Sequence, residues 1–255
     1  MGSALIKGAA SKVPSDSIYI YDKDTDKAKK VSNDTKTIYT DIITLSKTCK
    51  YIFLGVKPQN MEDMLSEIKE ELKIRTDRFI IVSMAASTTI ESIRKYVGEY
   101  PVIRIMPNLP VSVNEGTILY TTSDVTEEEK NEFTELLSNC STLIELEEKY
   151  IDAGSAVSGC GPAFVYKFIN ALANGGVKCG LNKEDSILMA CKTLIGASKL
   201  LLESDKECDE LVKAVCSPGG TTIEGVKELD NNEFEKITES AVIKSYERAL
   251  ELKKI

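Results

Sequence analysis

Histidine and tryptophan are both absent from the 255 residues. Without an imidazole the chain cannot build a Ser-His-Asp or Cys-His catalytic pair, a histidine-ligated zinc, or an imidazole acid or base. Proton transfer must come from another group, and no metal site is expected. There is no C-x-x-C pair either: the seven cysteines stand at 49, 140, 160, 179, 191, 208 and 216. An odd number scattered through apolar runs predicts reduced, buried and inert thiols rather than a disulfide framework. No apolar run reaches the ~18 residues of a membrane span, and the N-terminus lacks the basic-then-apolar shape of a secretory signal. The expected location is the cytoplasm. Positive charge is also scarce, with 32 Lys and Arg against 40 Asp and Glu and a formal net charge of −8. Such a surface repels phosphate backbones and anionic lipid, so neither nucleic acid nor membrane is an expected partner.

What is present is globular: 42% of residues are apolar and 28% charged. A chain of this length buries roughly 70–75% of its unfolded surface and needs no staple. Through residue 147, short β-rich runs alternate with helical stretches. Candidate strands are 17–21 (SIYIY), 50–56 (KYIFLGV), 78–84 (RFIIVSM), 102–106 (VIRIM) and 116–120 (GTILY), several of them nearly continuous apolar runs, as strands covered on both faces tend to be. Helical segments fall at 61–72, 89–97 and 126–137, the last opening on a capping-box pattern, Thr126-Glu-Glu-Glu. Alternation of this kind predicts an α/β domain with a mostly parallel sheet. From 148 to 255 the apolar spacing is helical throughout, notably at 164–172, 187–202, 207–215 and 241–252. These helices are apolar on more than one side, which predicts a homodimer core, with packing against the first domain as the alternative.

Several strand ends and loops could carry chemistry. Met1-Gly2-Ser3-Ala4-Leu5 reads as the first turn of a helix, followed after one helix length by the run at 17–21. In a dinucleotide-binding βαβ unit, a strand and a Gly-rich turn precede such a helix, and their amides cradle pyrophosphate. Here neither precedes it. Tyr21-Asp22-Lys23 closes the next strand; Asp22 suits ribose hydroxyls, Lys23 a 2′-phosphate, and a solvated turn is the bland alternative. Gly55-Val56-Lys57-Pro58, Met84-Ala85-Ala86-Ser87 and Met106-Pro107-Asn108-Leu109-Pro110 end three further strands at the carboxyl edge, where parallel sheets bind ligands. In the helical part, the glycines of Val157-Ser-Gly-Cys-Gly-Pro-Ala-Phe and Ala173-Asn-Gly-Gly-Val point to close packing or to ligand contact. Ser217-Pro218-Gly219-Gly220-Thr221-Thr222 opens a helix beginning near Ile223. Its unpaired amides and positive helix end suit a carboxylate or phosphate, although Ser217 or Thr222 could simply cap the helix. The spacing does not match a nucleotide P-loop.

Taken together, Met1-Gly-Ser-Ala-Leu, Val56-Lys-Pro, Ile103-Arg-Ile-Met-Pro-Asn, Ala156-Val-Ser-Gly-Cys-Gly-Pro-Ala-Phe, Gly175-Gly-Val-Lys-Cys-Gly-Leu and Ser217-Pro-Gly-Gly-Thr-Thr, in this order, resemble the pyrroline-5-carboxylate reductase family over the whole chain. The resemblance implies a Rossmann-type N-terminal domain, an all-helical C-terminal dimerisation domain, and reduction of Δ1-pyrroline-5-carboxylate to L-proline by NADPH or NADH, the last step of proline biosynthesis. It implies cofactor contacts from Met1, Gly2, Asp22, Val56, Lys57, Pro58, Ala85 and Ala86. Substrate contacts would come from Ser217, Gly219, Gly220, Thr221 and Thr222, with Thr222 as the catalytic hydroxyl. The partner is a second copy, each site forming where one subunit's nucleotide domain meets the other's helical domain; dimers could assemble further. The chain departs from the family pattern in lacking the first strand and first glycines, in having Cys160 for the usual serine, and in having Leu109 for the usual threonine. The first departure leads to the expectation that Met1 is an internal methionine of a longer natural chain or that this form binds cofactor weakly.

A cyclic imine protonated to an iminium is already electrophilic, so a histidine-free protein needs chiefly to place a nicotinamide against it and fix its carboxylate. The alternatives are another NAD(P)H-dependent imine or 3-hydroxyacid oxidoreductase, with Lys167 or Lys178 as acid, or a non-catalytic dimeric binding protein.

Overall fold

In the computed structural model, which describes residues 1–56 and 60–253, the apolar runs become strands of a sheet clad on both faces. The chain divides into two units. The first comprises residues 1–159 together with the C-terminal stretch from Tyr246 on, and the second residues 160–245.

The first unit begins with helix α1 (Gly2–Ala10), strand β1 (Tyr19–Ile20), α2 (Thr25–Thr35), β2 (Ile38–Tyr39) and α3 (Ile42–Thr48). It continues through β3 (Tyr51–Leu54), α4 (Met61–Ile74), β4 (Ile80–Ser83), α5 (Ile90–Val97) and β5 (Val102–Pro107). β6 (Gly116–Ser123), α6 (Glu127–Leu137), β7 (Ser141–Glu145) and α7 (Ile151–Ser158) complete it. β1 and β2 form a parallel pair; the other strands form one sheet in the order β3-β4-β5-β6-β7. β3, β4 and β5 are parallel, β6 runs antiparallel to β5, and β7 parallel to β6. The short stretch between β5 and β6, mostly a 3-10 turn at Leu109–Val113, explains the reversal, since a parallel crossover takes about a dozen residues or more.

Side chains alternate across the pleat. Ile52, Leu54, Ile81 and Val102 face a core with Ile42, Met64, Leu65, Ile68, Ile93 and Val97 from α3, α4 and α5. Their neighbours Ile80, Val82, Ile103, Ile105 and Ile118 face Leu5 of α1 and Phe133 and Leu137 of α6. Full burial of each such side chain is worth about 1.5–3 kcal/mol, and covering both faces is why these runs carry no polar alternation. The predicted strand at 17–21 shrinks to Tyr19–Ile20, because a 3-10 turn takes Ser15–Ser17. The sequence reading does not include β2, β7, α2 or α3; β7 is a five-residue edge strand whose residues are mostly exposed, and its apolar part is only Leu143 and Ile144. Thr126 closes the expected box with Glu129 at the start of α6.

The second unit is helical: α8 (Gly161–Lys178), α9 (Lys183–Leu202), α10 (Cys208–Val215), α11 (Thr221–Asn231) and most of α12 (Phe234–Leu252). Pro162 starts α8, Asn182 caps α9 by accepting from the Asp185 N–H at 2.8 Å, and Glu207 with Glu210 boxes α10. Ala173, Ser186 and Ala190 are buried where α8 and α9 pack, and a Cβ on Gly176 would reach Ser186 Oγ at 2.8 Å, so close packing accounts for that glycine. Much of the remaining apolar surface is bare: Leu188, Met189, Ile195, Leu200 and Leu202 of α9 are exposed, Leu202 to 86%. The expectation of buried thiols holds for Cys140 alone; Cys179 and Cys208 are exposed because the helical unit's own chain does not cover them, and all seven are free. Among the described residues no helix is long and apolar enough to cross a membrane.

Candidate functional site

The parallel register Leu54↔Ser83 puts the ends of β3 and β4 side by side, so Gly55 and Val56 lie next to Met84 and Ala85. A Cβ built on Gly55 would meet only Met84 Sδ, at 3.9 Å. Ala85 is buried and Ala86 exposed. Lys57 and Pro58 lie outside the described residues. Tyr21, beside Asp22, packs against the apolar cluster that also takes Val56 and Ala85. The Asp22 carboxylate is pre-oriented: Oδ1 accepts the Asp24 N–H at 3.0 Å, and Oδ2 accepts from Lys27 Nζ at 3.2 Å. Burial, aided by Glu67, pushes the Tyr21 phenol above its ordinary value. Met1 is the N-cap of α1 and provides no side-chain cap, and a Cβ on Gly2 would meet nothing within 4 Å.

After β5, Asn108 is a brace rather than a free ligand. Its Oδ1 accepts the Thr117 N–H at 2.9 Å and its Nδ2 donates to the Ser158 carbonyl at 3.1 Å. Leu109 next to it is exposed.

In the second unit, Gly219 adopts φ +72°, and Gly220 is the N-cap of α11. Glycine at the cap leaves the first helical N–H groups without a side-chain acceptor. Neither Ser217 nor Thr222 caps the helix, contrary to the simplest reading of the motif: the Ser217 carbonyl instead accepts the Gly220 N–H at 3.0 Å, folding the loop on itself. Thr221 and Thr222 are exposed, as are Ser217 and Gly219. The helix starts two residues before Ile223 because the threonines are taken into its first turn. The result is a positive helix end without a side-chain cap, beside two exposed threonines, suited to a small carboxylate.

Comparison with known proteins bears on this arrangement. A family description for pyrroline-5-carboxylate reductase dimerisation matches residues 148–252, and one for a coenzyme F420-dependent NADP oxidoreductase matches residues 1–87. The chain is 33% identical over 254 residues to the pyrroline-5-carboxylate reductase of Aquifex aeolicus (strain VF5), covering 99% of this chain and 94% of the relative. It belongs to the pyrroline-5-carboxylate reductase family. Pyrroline-5-carboxylate reductase 3 of Danio rerio is 42% identical over 206 residues, covering 80% of this chain and 70% of that one. The crystal structure of Plasmodium falciparum pyrroline carboxylate reductase with NADP bound superposes with a TM-score of 0.88 at 30% identity, covering 99% of this chain and 94% of that one. This membership accounts for the Rossmann-type sheet followed by helices.

Sequence reasoning did not single out one charged group. Arg104 sits wholly buried in β5 with Glu148 and Asp152 as partners. An arginine inside the run VIRIM was its only local signal.

Proposed function

We propose that this chain reduces Δ1-pyrroline-5-carboxylate to L-proline with NADPH or NADH, as the last step of proline biosynthesis. The observation that carries the reading is whole-length similarity to a pyrroline-5-carboxylate reductase, over 99% of this chain and 94% of the relative. The chemistry of the donor set fits a dinucleotide: an oriented carboxylate at Asp22 and small residues Ala85 and Ala86 after β4, with Met1 and Gly2 at the start of α1 where the phosphates would lie. Asp22 would hold the adenosine ribose, and Val56, Lys57, Pro58, Ala85 and Ala86 would line the nucleotide. When bound, the nicotinamide supplies a hydride to the imine carbon.

The protein's own share is binding and orientation. The amides at Gly219, Thr221 and Thr222 would take the substrate carboxylate, while Gly220, whose N–H is held by the Ser217 carbonyl, would shape the loop with Ser217. The Thr222 hydroxyl would contact the ring nitrogen. A threonine orients and relays a proton rather than supplying a tuned pKa, so the proton comes from water or enters with the iminium.

The reading includes a homodimer with a shared site, assembly of dimers into a larger oligomer, and a cytoplasmic location. The bare apolar face of α9 supports the dimer, and seven free thiols support a reducing compartment. The test is nucleotide consumption by the purified chain: loss of reduced-nicotinamide absorbance on adding Δ1-pyrroline-5-carboxylate, and none on adding a 3-ketoacid. The reverse pattern would overturn it.

A further inference from the structure

A wholly buried guanidinium is costly to desolvate unless carboxylates meet it. At Arg104 two do. Nη1 donates to Glu148 Oε1 at 3.3 Å and Nη2 to Asp152 Oδ1 at 3.0 Å, while Nε has no partner among the described residues. Asp152, itself buried, also pairs with Lys253, just past the end of α12. The result is a balanced row of charges: Lys253, Asp152, Arg104, Glu148.

One end of this row, and the helical turn before its other end, hold the two sides of one segment. Glu148 Oε1 accepts the Ile90 N–H at 2.8 Å; Ile90 is the first residue of α5, where a helix leaves amides unpaired and favours negative charge. On the other side, Ser87 Oγ donates to the Ala249 carbonyl of α12 at 3.4 Å, one helical turn before Lys253. Between these holds lies the segment after β4, Ala85 to Thr89, with Ser87 in the left-handed region at φ +57°. Such a backbone persists in a serine only where its surroundings impose it.

We propose that Arg104 is a positioning residue for the turn at 85–89: it acts through Glu148 on the start of α5 and through Asp152 and Lys253 on the end of α12, and so tunes dinucleotide affinity. The proposal rests on Ala85 and Ala86 contacting the dinucleotide, as read above. Its test uses the full chain and three readouts: NADPH Kd by nicotinamide fluorescence, KM for pyrroline-5-carboxylate at saturating NADPH, and Tm. Glu148→Ala removes the acceptor at Ile90 and should raise the NADPH Kd about two- to fivefold, the range a charge at a helix N-terminus commands, with the pyrroline-5-carboxylate KM little changed. Glu148→Gln keeps an oxygen for Ile90 and should recover most of that loss. Lys253→Ala works at a partly exposed residue, leaves the core intact, and should weaken NADPH in the same direction should Glu148→Ala not fold. A lowered Tm with unchanged Kd in Glu148→Ala and Lys253→Ala would make the row a purely structural brace and overturn the proposal, as would a Gln variant no better than Ala. A wild-type chain that binds neither NADPH nor NADH would instead overturn the functional reading, and the positioning role with it.

Discussion

Replacing Gly219 by alanine isolates the backbone contribution to the loop before α11. The residue holds φ +72°, and an added Cβ would meet nothing within 4 Å, so the substitution introduces strain without a clash. The left-handed region costs an L-residue about 1–2 kcal/mol. If this loop shape is the one that offers its amides to the carboxylate, that cost is subtracted from substrate binding. At about 1.4 kcal/mol per tenfold, KM for pyrroline-5-carboxylate should rise about five- to thirtyfold, with nucleotide Kd unchanged. Gly219→Asn should be milder, because asparagine tolerates the left-handed region, and Gly219→Val worse. Gly220 provides the complementary case. Its φ of −78° suits alanine, but the new Cβ would stand 2.4 Å from Ser217 Oγ and 3.1 Å from the Ser217 carbonyl oxygen. Gly220→Ala should therefore damage substrate binding sterically, and adding Ser217→Ala should restore part of it by removing the nearer oxygen. Initial rates across substrate concentration at saturating NADPH read all of these. A Gly219→Ala enzyme with wild-type KM, and a valine variant no worse than asparagine, would refute the link between this backbone and the substrate.

Three further outcomes follow from other parts of the molecule. Thr222→Ala should lower turnover of pyrroline-5-carboxylate while nucleotide affinity holds, and Thr222→Ser should retain more activity than Ala; unaltered kinetics in Thr222→Ala would remove its role. Ile195→Asp or Leu202→Asp, on the exposed side of α9, should abolish dimer and activity together, since an unpaired charge in a buried contact costs several kcal/mol; light scattering with rates across dilution reads this, and a fully active monomer at nanomolar concentration would contradict a shared site. Arg78 beside Glu129, with the Thr126 cap, lowers the Glu129 carboxyl from its ordinary 4.5 to about 2. A depressed folded-state value contributes stability above pH ~4.5 that is lost as pH falls toward ~2, so Glu129→Gln should flatten the acid limb of Tm against pH in that window, and an unchanged limb would count against the pair.

What could be read from the sequence was local or repetitive. The Thr126–Glu129 box, the apolar runs of β3, β4 and β5, and the Pro-Gly-Gly signal before α11 each reside within a few residues. The antiparallel turn from β5 to β6 was also encoded locally, in a connection too short for a crossover, but the alternation elsewhere masked it. β2 and β7 escaped because each has only two apolar residues in a row, Ile38-Tyr39 and Leu143-Ile144, too few to show a period. The thiols were misjudged because burial of the helical unit depends on surfaces its own chain does not cover. The Arg104 row was illegible because its carboxylates lie 44 and 48 residues farther along the chain.

Labelled nucleotide gives the most direct measurement. NADPH carrying deuterium on the transferred position of its nicotinamide is supplied with Δ1-pyrroline-5-carboxylate to the purified chain, and the product is resolved by chiral chromatography and mass spectrometry. One L-proline per NADPH consumed, with one deuterium on the ring carbon bonded to nitrogen and remote from the carboxylate, is the expected result. Nucleotide binding without proline, or proline without the label, would contradict the assigned reduction.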